Sequence, residues 1–258
     1  MRSIIMVLSH SSPAVEFPPS DLWSDEPPLE TDRHLRQILL LLLCLEWWWR
    51  ERPDAPENRR DSFYAAGNLT IYYSNRQRRD EQFRGPDFFV VLDTEYKERK
   101  SWVVWDEEGK YPNVIVEMLS DSTAEVDRTT KKEIYQNTFR TPEYFWFDPY
   151  SFEFQGFRLL GGLYEAITPT EQGWMWSQQL ELYLGVVEEK LRFLTPEGNL
   201  VPAPMEAAMQ ELLNAEAERQ RAQAERQRAE AAEAELERLQ RQLQERGIDL
   251  DSSNPEGT

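Results

Sequence analysis

Hydrophobic and polar positions along the chain fall into three textures. From Thr31 to about Arg52 apolar residues recur at helical spacing and crowd into the run "ILLLLLCL" (Ile38 to Leu45), followed by Glu46 and then Trp47, Trp48 and Trp49. This pattern predicts a buried core helix. The run is far short of the roughly 20 apolar residues that a membrane span needs. An interfacial helix anchored by the three tryptophans is the weaker alternative. Residues 1–29 are rich in Pro and Ser and lack a period, which predicts a disordered N-terminal arm. The opening "MRSIIMVLSHSSP" is too short and polar for a secretory segment.

Beyond the proline-bearing loop "RPDAPENRRDS", the stretch from Phe63 to about Leu200 reads as short β-rich runs broken by Gly, Pro and Asp. Strands are predicted at "LTIYY", "DFFVVL", "SWVVW", "NVIVEML" and "EYFWFD", then in a meander through "FEFQGFRLL", "LYEAITP", "LYLGV" and "LRFLTPEG". One helix interrupts them. Ser122-Thr123-Ala124-Glu125 has the Ser-x-x-Glu form of a capping box, the pattern runs to about Phe139, and Pro142 disfavours helical geometry at Thr141. A helix, strands, a central helix and more strands make the domain α/β or α+β.

From Pro204 the composition shifts to Ala, Glu, Gln and Arg, and "AERQRAQ" (217–223) is followed directly by "AERQRAE" (224–230). One lane of this seven-residue period is Ala208, Ala215, Ala222, Ala229, Leu236 and Leu243; its neighbour is glutamate at 211, 218 and 225 and apolar only at Ala232 and Leu239. The pattern predicts a long helix whose coiled-coil seam firms up over residues 229–243, joining copies of the chain into a homo-oligomer. The alternative is a solvated helix held by Glu–Arg pairs. The expected division is therefore 1–29 arm, 30–202 folded domain, 203–246 helical tail and 247–258 disordered end.

Charge narrows the function classes. The net charge is −18, of which the 13 acids and 7 bases of residues 203–258 account for only a third. That sign opposes a general nucleic-acid binder, so any DNA-facing surface must be local. The candidates are "RQRR" (Arg76, Arg78, Arg79), "KERK" (Lys97, Arg99, Lys100) and Arg128, Lys131 and Lys132. The single cysteine, Cys44, offers no disulfide or metal pair, which points to a cytoplasmic location.

Within "VIVEML" one carboxylate, Glu117, interrupts an otherwise apolar strand. Side chains alternate, so Glu117 shares its face with Ile115 and Leu119. Two readings stand: an edge strand with Glu117 in water, or a central strand with Glu117 in a site that compensates its burial. Thirty residues earlier, Pro86 fixes Asp87 at or just before the start of another apolar strand. Strands close in sequence tend to be neighbours, and two converging carboxylates hold a hard divalent cation such as Mg²⁺.

An Asp after Pro at a strand start, with an acid in the next core strand, resembles the PD-(D/E)XK nuclease superfamily. The longer pattern "RGPDFFVV", "NVIVEMLSDST", "DRTTKKEIY" and "TPEYFWFDP" is similar to the Uma2 family of restriction-type endonucleases, over roughly residues 30–185. The resemblance implies a restriction-endonuclease-like mixed β-sheet flanked by helices, nucleic acid (DNA above all) as substrate, and Asp87 and Glu117 as ligands of Mg²⁺ or Mn²⁺. The superfamily's usual lysine, two residues after the second acid, would fall at Leu119. In the Uma2-like pattern it moves to Lys131, placed four residues after Asp127 and four before Tyr135, hence on one helix face with both. Lys132 is the lesser candidate. A further acid from the first helix would be Glu30 or Glu46; Ser120, Ser122 and Thr123 are expected to cap, Tyr135 to pack, and His34 to lie on the surface. The competing function is a catalytically silent protein of the same fold that assembles through its tail.

Overall fold

The structure, a computed structural model, describes residues 22, 24, 31–52, 59–74, 82–120 and 124–245. The expected arm apart from Leu22 and Ser24, Glu30, the "RQRR" cluster, Ser122, Thr123 and the last thirteen residues lie outside them. The chain divides into two compact units at Pro204/Met205.

The first helix, Asp32–Glu46, starts where Thr31 accepts a hydrogen bond from the His34 N–H at 3.2 Å, with Asp32 favourably placed in the first turn. It continues as a wider turn over Trp47–Glu51. Its buried stripe is His34, Gln37, Ile38, Leu41, Cys44 and Leu45. His34 is therefore not a surface residue: its position one turn before Ile38 puts it on the stripe, and it is 3% exposed. Gln37 locks the helix to a later strand, its amide donating to Leu191 O at 2.8 Å and accepting from Leu191 N–H at 3.1 Å.

The strands are β1 (Phe63–Gly67), β2 (Ile71–Tyr72), β3 (Phe83–Arg84), β4 (Phe88–Leu92), β5 (Trp102–Val103), β6 (Val114–Met118), β7 (Glu143–Phe147), β8 (Phe154–Leu160), β9 (Leu163–Ala166), β10 (Met175–Ser177), β11 (Leu182–Val187) and β12 (Lys190–Leu194). The main sheet has the order β1-β4-β6-β7-β8-β9; β6 and β7 run parallel and the other pairs antiparallel. β10-β11-β12 and β3-β2-β5 form two small sheets. The domain is thus a mixed α+β fold, and its central strands are the unbroken apolar runs of the sequence. The run "SWVVW" pairs only at Trp102 and Val103 before turning.

The main sheet is covered on both faces. Val114, Val116 and Met118 pack with the first helix and with Leu184, Leu191 and Phe193 of the β10–β12 sheet, whereas Ile115 and Leu119 pack with Tyr135, Phe139 and Tyr144 on the other side. β1, "FYAAG", was not among the predicted strands because Ala-Ala-Gly carries little β-propensity. Small residues are required there: a Cβ on Gly67 would sit 2.3 Å from Ile38 Cγ2.

The central helix runs through Ala124–Val126, Asp127–Lys131, Lys132–Ile134 and Tyr135–Phe139, with the second and fourth segments wound as wider π-type turns. It stops as expected near Pro142, with Arg140 in the left-handed region at φ 53°. The tail helix, Pro204–Glu245, is 42 residues long and has no buried residue.

Candidate active site

Glu117 lies on β6, third of six strands, and is fully buried. The edge-strand reading is thereby removed, and a buried carboxylate must find partners. The first arises from register. Phe88 of β4 faces Val116 of β6, so the next antiparallel step sets Asp87 opposite Glu117. Asp87 stands just ahead of β4, where Pro86 leaves no N–H to continue the ladder. Its carboxylate turns along the sheet end and accepts the Met118 N–H at 2.7 Å, while its own N–H lies 3.4 Å from Glu117 Oε2 and its carbonyl accepts Asn68 N–H at 3.0 Å. Asp87 is held by main chain on both sides.

The central helix crosses the Glu117 face and presents Asp127, Lys131 and Tyr135 to it. Lys131 Nζ donates to Glu117 Oε2 at 3.1 Å and pairs with Asp127 Oδ1 at 2.7 Å. The Tyr135 hydroxyl donates to Glu117 Oε1 at 2.6 Å. The two oxygens of Glu117 thus engage two residues one helical turn apart. Asp127 is fully buried, and its carbonyl accepts the Tyr144 hydroxyl at 2.9 Å.

Two fully buried acids, Glu117 and Asp127, and the half-buried Asp87 surround one ammonium. Burial, with the neighbouring Asp87 charge added, outweighs Lys131 and Tyr135 and pushes the Glu117 carboxyl up to about 7. Asp87 moves up as well, again chiefly by burial, against the opposing pull of Lys131. Burial works against the Lys131 ammonium, but Glu117, Asp127 and Asp87 together hold it above its ordinary range. Burial and then Glu117 keep the Tyr135 phenol neutral well above its usual value. Lys131 is a fixed cation and Tyr135 a fixed donor; neither is a general base near neutrality.

The sequence model of one protein family, described as "Putative restriction endonuclease", matches residues 6–197. The chain belongs to the Uma2 family. No curated protein matches it. Among solved structures it is similar to the "putative nuclease belonging to DUF820 from Anabaena variabilis ATCC 29413", over 60% of this chain and 76% of that one, at 12% identity and a TM-score of 0.40. Asp87, Glu117 and Lys131 lie inside the span matched by the Uma2 model.

Other residues weighed for a Uma2-type site fall elsewhere. Leu119 is buried in the apolar cluster beneath the central helix. Lys132 turns away, its Nζ 3.4 Å from the centre of the Phe157 ring. Glu46 sits at the far end of the first helix beside Arg50, which stacks on Phe63, four residues and one strand length from the Gly67 end where Asp87 lies. It is therefore not the further acid. Ser120 accepts the Ala124 N–H through its carbonyl at the helix start. Arg99 of "KERK" is spent internally: its guanidinium binds Glu107 at 2.6 and 3.0 Å and stacks on Tyr64 and Trp102. Arg128 pairs with Glu153 at 2.5 Å. Tyr135, expected only to pack, is the participant that sequence reasoning missed; its place eight residues after Asp127 was the available signal.

No helix among the described residues is long and apolar enough to cross a membrane.

Proposed function

We propose that this chain is a divalent-metal-dependent endonuclease that hydrolyses phosphodiester bonds of nucleic acid, DNA foremost, with Asp87 and Glu117 holding Mg²⁺ or Mn²⁺. The observation that carries the reading is the convergence of these two carboxyls from neighbouring strands around one lysine. Asp87, Glu117 and Asp127 outnumber the single ammonium of Lys131; burial chiefly raises the Asp87 and Glu117 carboxyls, and protonation of Glu117 is one way to offset the charge deficit. A bound divalent cation would meet it instead, and an all-oxygen donor pair suits a hard ion. Among the described residues no group of three or more His, Cys, Asp or Glu side chains is arranged to hold a metal. Asp87 and Glu117 would be the protein's donors, with oxygens of water or substrate supplying the rest.

When bound, the ion would supply Lewis-acid stabilisation of a phosphoryl oxygen and a water of lowered pKa. The chain's own residues do the rest. Tyr135 fixes Glu117 Oε1, and Lys131 holds Oε2 and adds permanent positive charge beside the site where a pentacoordinate phosphoryl transition state would gain negative charge. Asp127 keeps the Lys131 ammonium in place. Supercoiled plasmid incubated with Mg²⁺ or Mn²⁺ is expected to be nicked and linearised, and Asp87→Asn and Glu117→Gln to lose at least 100-fold in rate; undiminished cleavage by either variant rejects the assignment.

A second reading concerns assembly. The tail helix buries none of its residues, and Leu236 and Leu239 are exposed. Self-association through residues 229–243 would cover them. In the catalytically silent alternative this assembly is the function, and no nucleic acid is cut under any metal.

A further inference from the structure

The first helix is apolar around its circumference from Ile38 to Leu45, yet the sheet covers one side of it. Leu35, Leu39 and Leu43, spaced four residues apart, remain 42, 45 and 47% exposed. A helix that is hydrophobic all round is normally buried all round, and the chemistry of the carboxylate site makes no use of this stripe. At 100° per residue Asp32, Leu35, Arg36, Leu39, Leu43 and Glu46 fall within one arc about 100° wide. The leucines are therefore bracketed by charge, acid and base at one end and acid at the other. Arg36 and Asp32 pair at 2.6 Å with both side chains more than 70% exposed. Glu46 is partly buried, its carboxyl raised chiefly by that burial, and Arg50 stands 4.0 Å away, itself stacked on Phe63 and Tyr96.

We propose that this stripe docks on the same stripe of a second copy of the chain, the two first helices antiparallel about a two-fold axis. In the register that sets Leu39 against Leu43 of the second copy, Leu35 meets the second copy's Trp47, and Arg36 of each chain comes level with Glu46 of the other. The parallel arrangement would set Arg36 on Arg36 and Glu46 on Glu46. The order of charges therefore selects both the occupant and the orientation, as an isologous interface requires. Such a contact is one helix wide and belongs to the weak class, below about 1,200 Å² in total, with association on the order of 10 to 100 µM. It is independent of the nuclease reading, because the stripe lies on the helix side of the sheet away from Glu117.

Sedimentation velocity of the full chain tests this, in a background carrying Leu236→Lys and Leu239→Lys so that the exposed tail seam contributes nothing. The background protein is expected to shift from monomer to dimer across that concentration range. Leu39→Glu should remain monomeric, with an unchanged circular dichroism spectrum showing that it folds. Arg36→Glu should weaken association about tenfold, and the double exchange Arg36→Glu with Glu46→Arg should restore it. A background protein that stays monomeric while the chain with its native tail dimerises overturns the proposal and leaves the tail reading standing. So does equal association of all variants, or flotation of a monomeric chain with phosphatidylserine vesicles that Leu39→Glu abolishes, which would make the stripe a membrane contact.

Discussion

The Tyr135 hydroxyl donates to Glu117 Oε1 at 2.6 Å from a helix that begins beyond the end of Glu117's own strand. One turn earlier on that helix, Lys131 takes the other carboxylate oxygen. A fully buried carboxylate is thereby held at both oxygens by one helix. Tyr135→Phe removes one donor and leaves the charge. It is expected to lower stability by about 1–3 kcal/mol and to weaken divalent-ion binding while leaving the fold intact. Urea unfolding and a metal titration of the variant measure the two effects separately.

Stability without metal should fall as pH rises toward neutrality. The folded-state pKa of Glu117 is raised, by burial first and Asp87 second, from the ordinary carboxylate range to about 7. Between those limits the folded chain holds a proton that the unfolded chain has released, so the stabilisation present below the unfolded value is lost through pH 7. Asp87 shifts in the same direction. The raised Lys131 loses its contribution only far above neutrality. In EDTA the free energy of unfolding from urea titrations is expected to be higher at pH 5 than at pH 8, by roughly 2–3 kcal/mol, and Glu117→Gln to flatten the slope.

Lys131→Met strands two buried acids, Glu117 and Asp127, without their cation. A loss of about 3–5 kcal/mol is expected in thermal or urea unfolding. Adding Asp127→Asn should recover part of it, because one of the uncompensated charges is then gone. Additive losses would show that Asp127 and Lys131 are not coupled.

Gly67→Ala brings a methyl to 2.3 Å from Ile38 Cγ2. Neither the strand nor the helix can withdraw freely, so a cost of about 1–3 kcal/mol is expected. Combined with Ile38→Ala, which removes the clashing atom, the losses should be distinctly less than additive in urea unfolding.

Much of this architecture was legible because burial leaves a strong mark on sequence. The runs at 88–92, 114–118 and 143–147 are central strands of a mixed sheet and read as continuous apolar stretches. Pro86 located Asp87 because proline can begin a strand but not pass through one. Phe63–Gly67 and Met175–Ser177 were missed for the opposite reason, one built of small residues chosen for helix contact, the other only three residues long. The site was partly visible. Spacing put Asp127, Lys131 and Tyr135 on one face, but not that Tyr135 would bond Glu117, since that depends on the helix crossing directly over β6. Arg99 misled, because a basic cluster in sequence does not reveal that its central guanidinium is buried on two aromatic rings. His34 misled likewise, because a polar residue at the top of a buried stripe looks like surface until the helix's rotation is known.

Mn²⁺ binding followed by electron paramagnetic resonance tests the central claim most directly, because it reads the carboxylate pair without depending on the right nucleic acid. The wild-type chain is expected to take up one Mn²⁺ per protomer, more tightly as pH rises from 6 to 8 while Glu117 gives up its proton, and Asp87→Asn and Glu117→Gln each to weaken it at least tenfold. Equal Mn²⁺ binding by the wild type and both variants would contradict the account.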